Sequence, residues 1–261
     1  MKNGSEGQSA AIKPNEDLDS STILKIPLEE ARTQLSPLSA EARLTWAYEH
    51  FQENFVLTTS FGLQSAVLLH MLHLLKGAEQ IPVIWIDTGY LPPETYCYAE
   101  DLTKQLELNL NIIQSPISPA RMEALYGKLW ETNSLEDIEK YHLIRKIEPL
   151  EKALKELNVQ CWASGVRRGQ TEHRRSMTVL DQIRGRLSLR PLLEWTQKDI
   201  FYYMQKHDLP QHPLFEKGYT SVGDWHSSAP NDGQIKGRDT RFKGLKQECG
   251  IHVQGVMGEG I

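Results

Sequence analysis

Phe55-Val56-Leu57-Thr58-Thr59-Ser60-Phe61-Gly62-Leu63-Gln64-Ser65-Ala66 opens as a short β-rich run, passes through a small-residue turn and enters an apolar helix that the pattern carries to Leu75. Strand, turn and helix N-terminus in that order make a phosphate-binding geometry, because the orphan N–H groups and the helix dipole point at the turn. The Gly-Lys-Ser/Thr of a Walker A loop is missing, and many strand-to-helix turns carry Ser and Gly without a ligand. Ser60, Phe61 and Gly62 are therefore candidates by position. Ile81 to Ile86 is a continuous apolar run, as expected of a strand buried on both faces. It ends in Asp87-Thr88-Gly89-Tyr90. Polar residues there would lie on the ligand edge of an open α/β sheet; an Asx-type turn closed by Gly89 is the alternative. Pro93 sits near the first position of a helix reaching Leu106, Leu110 to Gln114 reads as a third strand, and Ala120 to Leu150 is mostly helical. A helix over Glu151 to Leu157 then returns to a strand at Cys161 to Val166. Upstream, Ala40 to Phe51 has the spacing of a covering helix. The alternation predicts one α/β domain with a mostly parallel sheet flanked by helices.

Basic residues gather where that sheet would bind a ligand. Gly165-Val166-Arg167-Arg168 leaves the fourth strand, and seven Arg stand against Glu172 and Asp181 between Cys161 and Arg190. Arg matches phosphate and sulfate oxygens bidentately, so an anion site is favoured. An RNA contact would want interleaved stacking aromatics, which the run lacks. Arg145 and Lys146 fit either a solvated helix face or further anion ligands. Thr196-Gln197-Lys198-Asp199 resembles a capping box for a helix ending near His207. A second basic stretch, with Arg238, Arg241 and Lys246, leads into Glu248-Cys249-Gly250-Ile251-His252. A thiol has an ordinary pKa of roughly 8.5. Lys246, three residues before Cys249, and His252, three after, would each favour the thiolate. A surface thiol on a frayed end is the alternative.

Composition narrows the classes. The chain of 261 residues with net charge -5 can hold one sizeable core, and its charge argues against bulk nucleic-acid binding. Residues 1–21 are polar and predict a disordered extension, 22–228 the α/β nucleotide-binding catalytic domain, and 229–261 a mobile tail carrying Cys249. No run approaches the ~18 apolar residues of a membrane span, and the N-terminus lacks an apolar signal core. A cytoplasmic protein with no membrane partner is expected. Cys97, Cys161 and Cys249 are too few for a disulfide framework or for an iron–sulfur site with four cysteine ligands.

Taken together, the blocks resemble the phosphoadenylyl-sulfate (PAPS) reductases of assimilatory sulfate reduction. They are Thr59 to Ala66, Asp87 to Tyr96, Arg145-Lys146 with Pro149-Leu150, Gly165 to Arg168, Gly218 to Asp224, and Lys246 to His252. The resemblance covers roughly residues 55–252 and is specific because six blocks occur in order. It implies a fold like the adenine-nucleotide α-hydrolase group, with Ser60, Phe61 and Gly62 in the modified phosphate loop. It implies that Cys249 attacks the sulfur of PAPS, that adenosine 3′,5′-bisphosphate leaves, and that an S-sulfo-cysteine remains. Reduced thioredoxin or glutaredoxin would release sulfite, so no bound redox cofactor and no metal is implied, and a homodimer is. Asp87, Thr88, Gly89, Arg145, Lys146, Gly165, Arg167, Arg168, Arg238, Arg241, Lys246 and His252 become the implied substrate-binding residues.

The adenylyl-sulfate (APS) reductases look similar but carry two extra cysteine pairs for an iron–sulfur cluster. Those pairs would fall at Tyr141-His142 and at about Asp224 and Ser227, all non-cysteine here, which favours the 3′-phosphorylated substrate. The chain departs from the family pattern at Cys97 and at Gly169, and the latter leaves the role of Gln170 open. An APS reductase lacking its cluster and a non-catalytic nucleotide-binding protein are the rival readings. An ATP-consuming adenylyl-transferring ligase would want a Ser-Gly-Gly-x-Asp-Ser loop, which Phe61 and Gln64 do not fit.

Overall fold

The computed structural model describes residues 23–231, 242, 248 and 250–252. Among the described residues six strands form one sheet: β1 (Phe55–Thr59), β2 (Val83–Asp87), β3 (Leu110–Gln114), β4 (Cys161–Ser164), β5 (Leu180–Ile183) and β6 (Arg186–Leu189). Their order is β3-β2-β1-β4-β6-β5. Every pairing is parallel except β5 with β6. The mostly parallel sheet read from the sequence is thus what the chain forms.

The strands alternate in what they bury, as a side-chain period of two requires. Phe55, Leu57, Val83, Trp85, Cys161 and Ala163 face one core with the helices α1 (Leu28–Leu35), α2 (Ala40–Phe51), α3 (Ser65–His73) and α4 (Pro93–Gln105). Val56, Ile84 and Trp162 face the other side, against Leu150 and Leu154. Because both faces are covered, the runs read as continuously apolar.

The helical stretch between β3 and β4 is α5 (Pro119–Tyr126), α6 (Leu135–His142), a π-helical turn over Leu143–Ile147 and α7 (Glu148–Glu156). That wider turn carries Arg145 and Lys146 inward, with relative exposures of 2% and 8%. A solvated face for this pair is thereby excluded. After β6 come α8 (Gln197–Lys206) and the short α9 (Pro213–Glu216). Thr196 and Asp199 cap α8 reciprocally, the box its spacing suggests.

Two elements were not anticipated. The β5–β6 hairpin turns through Arg184 and Gly185, both with positive φ (47° and 73°). The helix α1 docks on the resulting antiparallel edge, with Arg32 donating to the Leu180 carbonyl at 2.7 Å and to Asp181 at 2.6 Å.

Candidate active site

The sheet order reverses at β1, with β2 on one side and β4 on the other. Ligand crevices of open α/β sheets lie outside the strand carboxyl ends at such a point. Here a cavity of about 320 Å³ opens there, walled by Ser60, Gly62, Thr88, Lys146, Gly165 and Arg167 among others.

The loop after β1 is held from below. Phe61 is fully buried, sits at φ 44° and packs edge-on against Trp85 at 4.9 Å. Its N–H donates to Thr59 Oγ1 at 3.2 Å, and the Gly62 carbonyl accepts from the Ser65 N–H at 3.1 Å and from Ser65 Oγ at 2.7 Å. Phe61 is thus the anchor of the loop, while Ser60 and Gly62 line the cavity. Helix α3 begins there with no side-chain cap and no acidic residue in its first turn. Its dipole therefore points at the cavity unopposed by a carboxylate of its own.

The loop after β2 takes the Asx-type turn closed by Gly89, the alternative that the sequence left open beside a ligand role for Asp87. Asp87 accepts from the Gly89 N–H (2.8 Å), Tyr96 OH (2.6 Å) and Gln114 Nε2 (2.6 Å), and it stands off the cavity wall. It shapes the turn and leaves Thr88 facing the cavity. Gly89 has φ 74°, and a Cβ there would lie 2.6 Å from Pro119 Cγ. Arg145 clamps the same turn, donating from Nε to the Thr88 carbonyl at 2.8 Å and from Nη1 to the Ile117 carbonyl. Arg145 therefore braces backbone, whereas its neighbour Lys146 reaches the wall and forms an ion pair with Asp224 at 2.5 Å.

Beyond β4, Arg167 and Arg168 separate. Arg167 is 4% exposed, lines the cavity and donates to Gln64. Burial, and then the charge of Arg174, pull its pKa down to about 10. Arg168 turns outward to the Met177 carbonyl (3.2 Å) and toward Glu194 (3.9 Å), away from the cavity. The question left at Gln170 has a geometric answer: its Oε1 accepts from the Arg167 N–H at 3.0 Å and from Arg174.

Of the C-terminal candidates, His252 is among the described residues, whereas Arg238, Arg241, Lys246 and Cys249 lie outside them. His252 lines the cavity and stacks on Trp162, with ring centroids 5.2 Å apart and planes 15° apart. Glu248 is held by Arg174 through Nε (2.8 Å) and Nη2 (2.7 Å), and by Thr171 Oγ1 at 2.8 Å. Arg184 donates to the Ile251 carbonyl at 2.9 Å. Arg174 and Asp224 were not singled out as site residues from sequence. A signal for Arg174 lay in the Arg run itself, but nothing local in Gly223-Asp224-Trp225 announces a partner for Lys146.

A crevice beside the N-terminus of α3, walled by Lys146, Arg167 and Arg174, suits a polyanionic nucleotide. Among the described residues no group of three or more His, Cys, Asp or Glu could hold a metal ion. No helix among them is long and apolar enough to cross a membrane.

Comparison with known proteins agrees with this geometry. The model of the phosphoadenosine phosphosulfate reductase domain matches residues 54–230. A phosphoadenosine 5′-phosphosulfate reductase of Synechococcus sp. is 53% identical over 87% of this chain and 97% of its own length. One from Cronobacter sakazakii is 48% identical over 86% and 91% respectively. Among solved structures, the PAPS reductase of Candida auris in a phosphate complex superposes with a TM-score of 0.67 at 28% identity, covering 81% of this chain and 98% of that one. The FMN adenylyltransferase of Candida glabrata shares the fold at a TM-score of 0.55 and 17% identity, over 84% of this chain and 76% of that one.

Proposed function

The chain belongs to the phosphoadenosine phosphosulfate reductase family and reduces PAPS in sulfate assimilation; from that premise we propose that Cys249 is the nucleophile and that a protein dithiol supplies the electrons. The Cys249 thiolate attacks the sulfur of the sulfate group. The bond from that sulfur to the bridging oxygen breaks, and its electron pair leaves on adenosine 3′,5′-bisphosphate. The sulfo group stays on Sγ. A thiolate of reduced thioredoxin or glutaredoxin then attacks Sγ and expels sulfite, which carries away the electron pair of the S–S bond. The partner's second thiol resolves the mixed disulfide and returns Cys249 as a thiol. The two electrons come from the partner, so the cycle needs no bound redox cofactor. Such a donor works in a reducing compartment, which puts the chemistry in the cytoplasm; a homodimer is the family expectation.

The observation that carries this reading is the docking of the residues around Cys249. Glu248 is gripped by Arg174, a residue of the cavity wall, and Ile251 and His252 line the same cavity. The Ser60–Gly62 loop and the α3 N-terminus suit the phosphate groups. Lys146 and Arg167 suit the leaving phosphate, where charge develops in the transition state. Arg238, Arg241 and Lys246 add positive charge to the tail on the sequence reading. The 3′-phosphorylated substrate is favoured because Tyr141, His142, Asp224 and Ser227 stand where APS reductases carry cluster cysteines, and all four are buried.

Cys249→Ser should abolish sulfite formation while leaving affinity for adenosine 3′,5′-bisphosphate within about tenfold, or ~1.4 kcal/mol. Sulfite release and nucleotide titration check this; substantial turnover by the Ser variant removes Cys249 from the chemistry.

A further inference from the structure

Resting on the assignment of Lys146 to the leaving phosphate, we infer that Asp224 is a positioning residue for the reaction. Its carboxylate holds the Lys146 ammonium at the cavity wall, so that the cation acts on the leaving group as charge develops there.

Asp224 is fully buried, yet with Lys146 and Thr88 it forms part of the cavity wall. Groups from three separate parts of the fold meet on this carboxylate. Thr88 Oγ1, from the turn after β2, donates to Oδ1 at 2.5 Å. Lys146 Nζ, from the π-helical turn, stands 2.5 Å from Oδ2. The hydroxyl of Tyr141, from α6, adjoins the same carboxylate, has its pKa raised by burial and then by that charge, and lies 3.1 Å from His226 Nε2. The Tyr141 ring lies under the ammonium at 5.8 Å. A carboxylate fixed on so many sides cannot follow a mobile cation, so the cation is fixed by it.

That arrangement matters for Lys in particular. Its ammonium is a point charge on a flexible stem and chooses its own geometry unless something dictates it. A buried ammonium without a partner would also pair with the ground-state phosphosulfate as strongly as with the departing phosphate. Binding both equally does not raise kcat. With Asp224 opposite, the ground-state charge of Lys146 is already balanced. The additional interaction then grows as the leaving phosphate gains charge.

The test is a double-mutant cycle with the full-length protein, PAPS and reduced thioredoxin. Asp224→Asn keeps the shape and an acceptor for Thr88. It should lower kcat ten- to a hundredfold while KM for PAPS stays within about threefold or falls. Lys146→Met should lower kcat/KM by a similar factor. In the Lys146→Met background, Asp224→Asn should change kcat by less than about threefold, the signature of a residue acting through another. If Lys146→Met alone keeps wild-type kcat/KM, the role of Lys146 fails and the inference fails with it. If Lys146→Met is impaired and Asp224→Asn multiplies that loss, Lys146 stands and the inference about Asp224 is overturned. Should Asp224→Asn not fold, Thr88→Val, which removes one donor to the carboxylate, replaces it in the same cycle with the same supporting and contradicting outcomes.

Discussion

Arg167 and Arg168 are adjacent and chemically identical, and the fold gives them different fates. Arg167 is buried on the cavity wall, whereas Arg168 spends its guanidinium on the Met177 carbonyl and on the neighbourhood of Glu194. A charge-assisted hydrogen bond is worth ~1.5–3 kcal/mol. Arg167→Ala should therefore cost roughly ten- to a hundredfold in kcat/KM for PAPS, and Arg168→Ala no more than about threefold. Steady-state kinetics on the two variants separate them; an equal loss in both would contradict the placement. Gly89 makes a second case. Its φ of 74° and the 2.6 Å approach of a would-be Cβ to Pro119 Cγ exclude any side chain. Gly89→Ala should lower stability by ~2–4 kcal/mol, through left-handed strain and overpacking. Urea titration measures it, and a loss below ~1 kcal/mol would show that the turn relaxes.

Elements explain what was and was not legible in the sequence. β1, β2 and β4 are legible to within a few residues because strands covered on both faces read as largely apolar runs, and β3, a partly exposed edge strand, is legible at its observed bounds. The β5–β6 hairpin was missed: Leu180, Ile183, Leu187 and Leu189 are separated by Asp181, Gln182, Arg184 and Arg186, so no apolar run stands out. The turn Arg184-Gly185 was the available signal. Pattern alone leaves Arg145 and Lys146 between a solvated face and a ligand role, because their burial depends on a π-helical turn, a register shift that local pattern does not reveal. The partners of Lys146 and Glu248 are far away in sequence, and such pairings are set by topology. The grip of Arg174 on Glu248 yields a prediction of its own. Glu248→Gln keeps the shape but removes the charge, so the segment at 248–252 should exchange amide hydrogens faster and kcat should fall about tenfold, with nucleotide affinity unchanged. Unchanged exchange and unchanged kcat would show that the pair does not hold this segment to the cavity.

The fold as a whole also has a pH limit that can be assigned. His212 is fully buried where α4 meets α9. Its Nδ1 accepts from the Leu214 N–H at 3.1 Å, and Nε2 lies 3.1 Å from Thr95 Oγ1. Burial pushes its pKa down to about 4. The unfolded chain, with an ordinary His near ~6.5, binds that proton first. Stability from this group is therefore full above the unfolded value and is lost as pH falls toward the folded one. Between pH 7 and pH 5 the loss should be about 2 kcal/mol, and His212→Asn should remove that part of the slope, which denaturant titrations at the two pH values would show. An unchanged slope would assign the acid sensitivity elsewhere, for instance to His70, whose pKa burial and the nearby His207 and His73 also lower. The central claim concerns what the assembled crevice does with its substrate. Intact-mass measurement after incubation with PAPS, without any dithiol, tests it most directly. The account predicts that wild type gains one sulfonate group, that Cys249→Ser gains none, and that APS is a poor donor. An absent adduct in wild type, or an adduct that persists in Cys249→Ser, would contradict it.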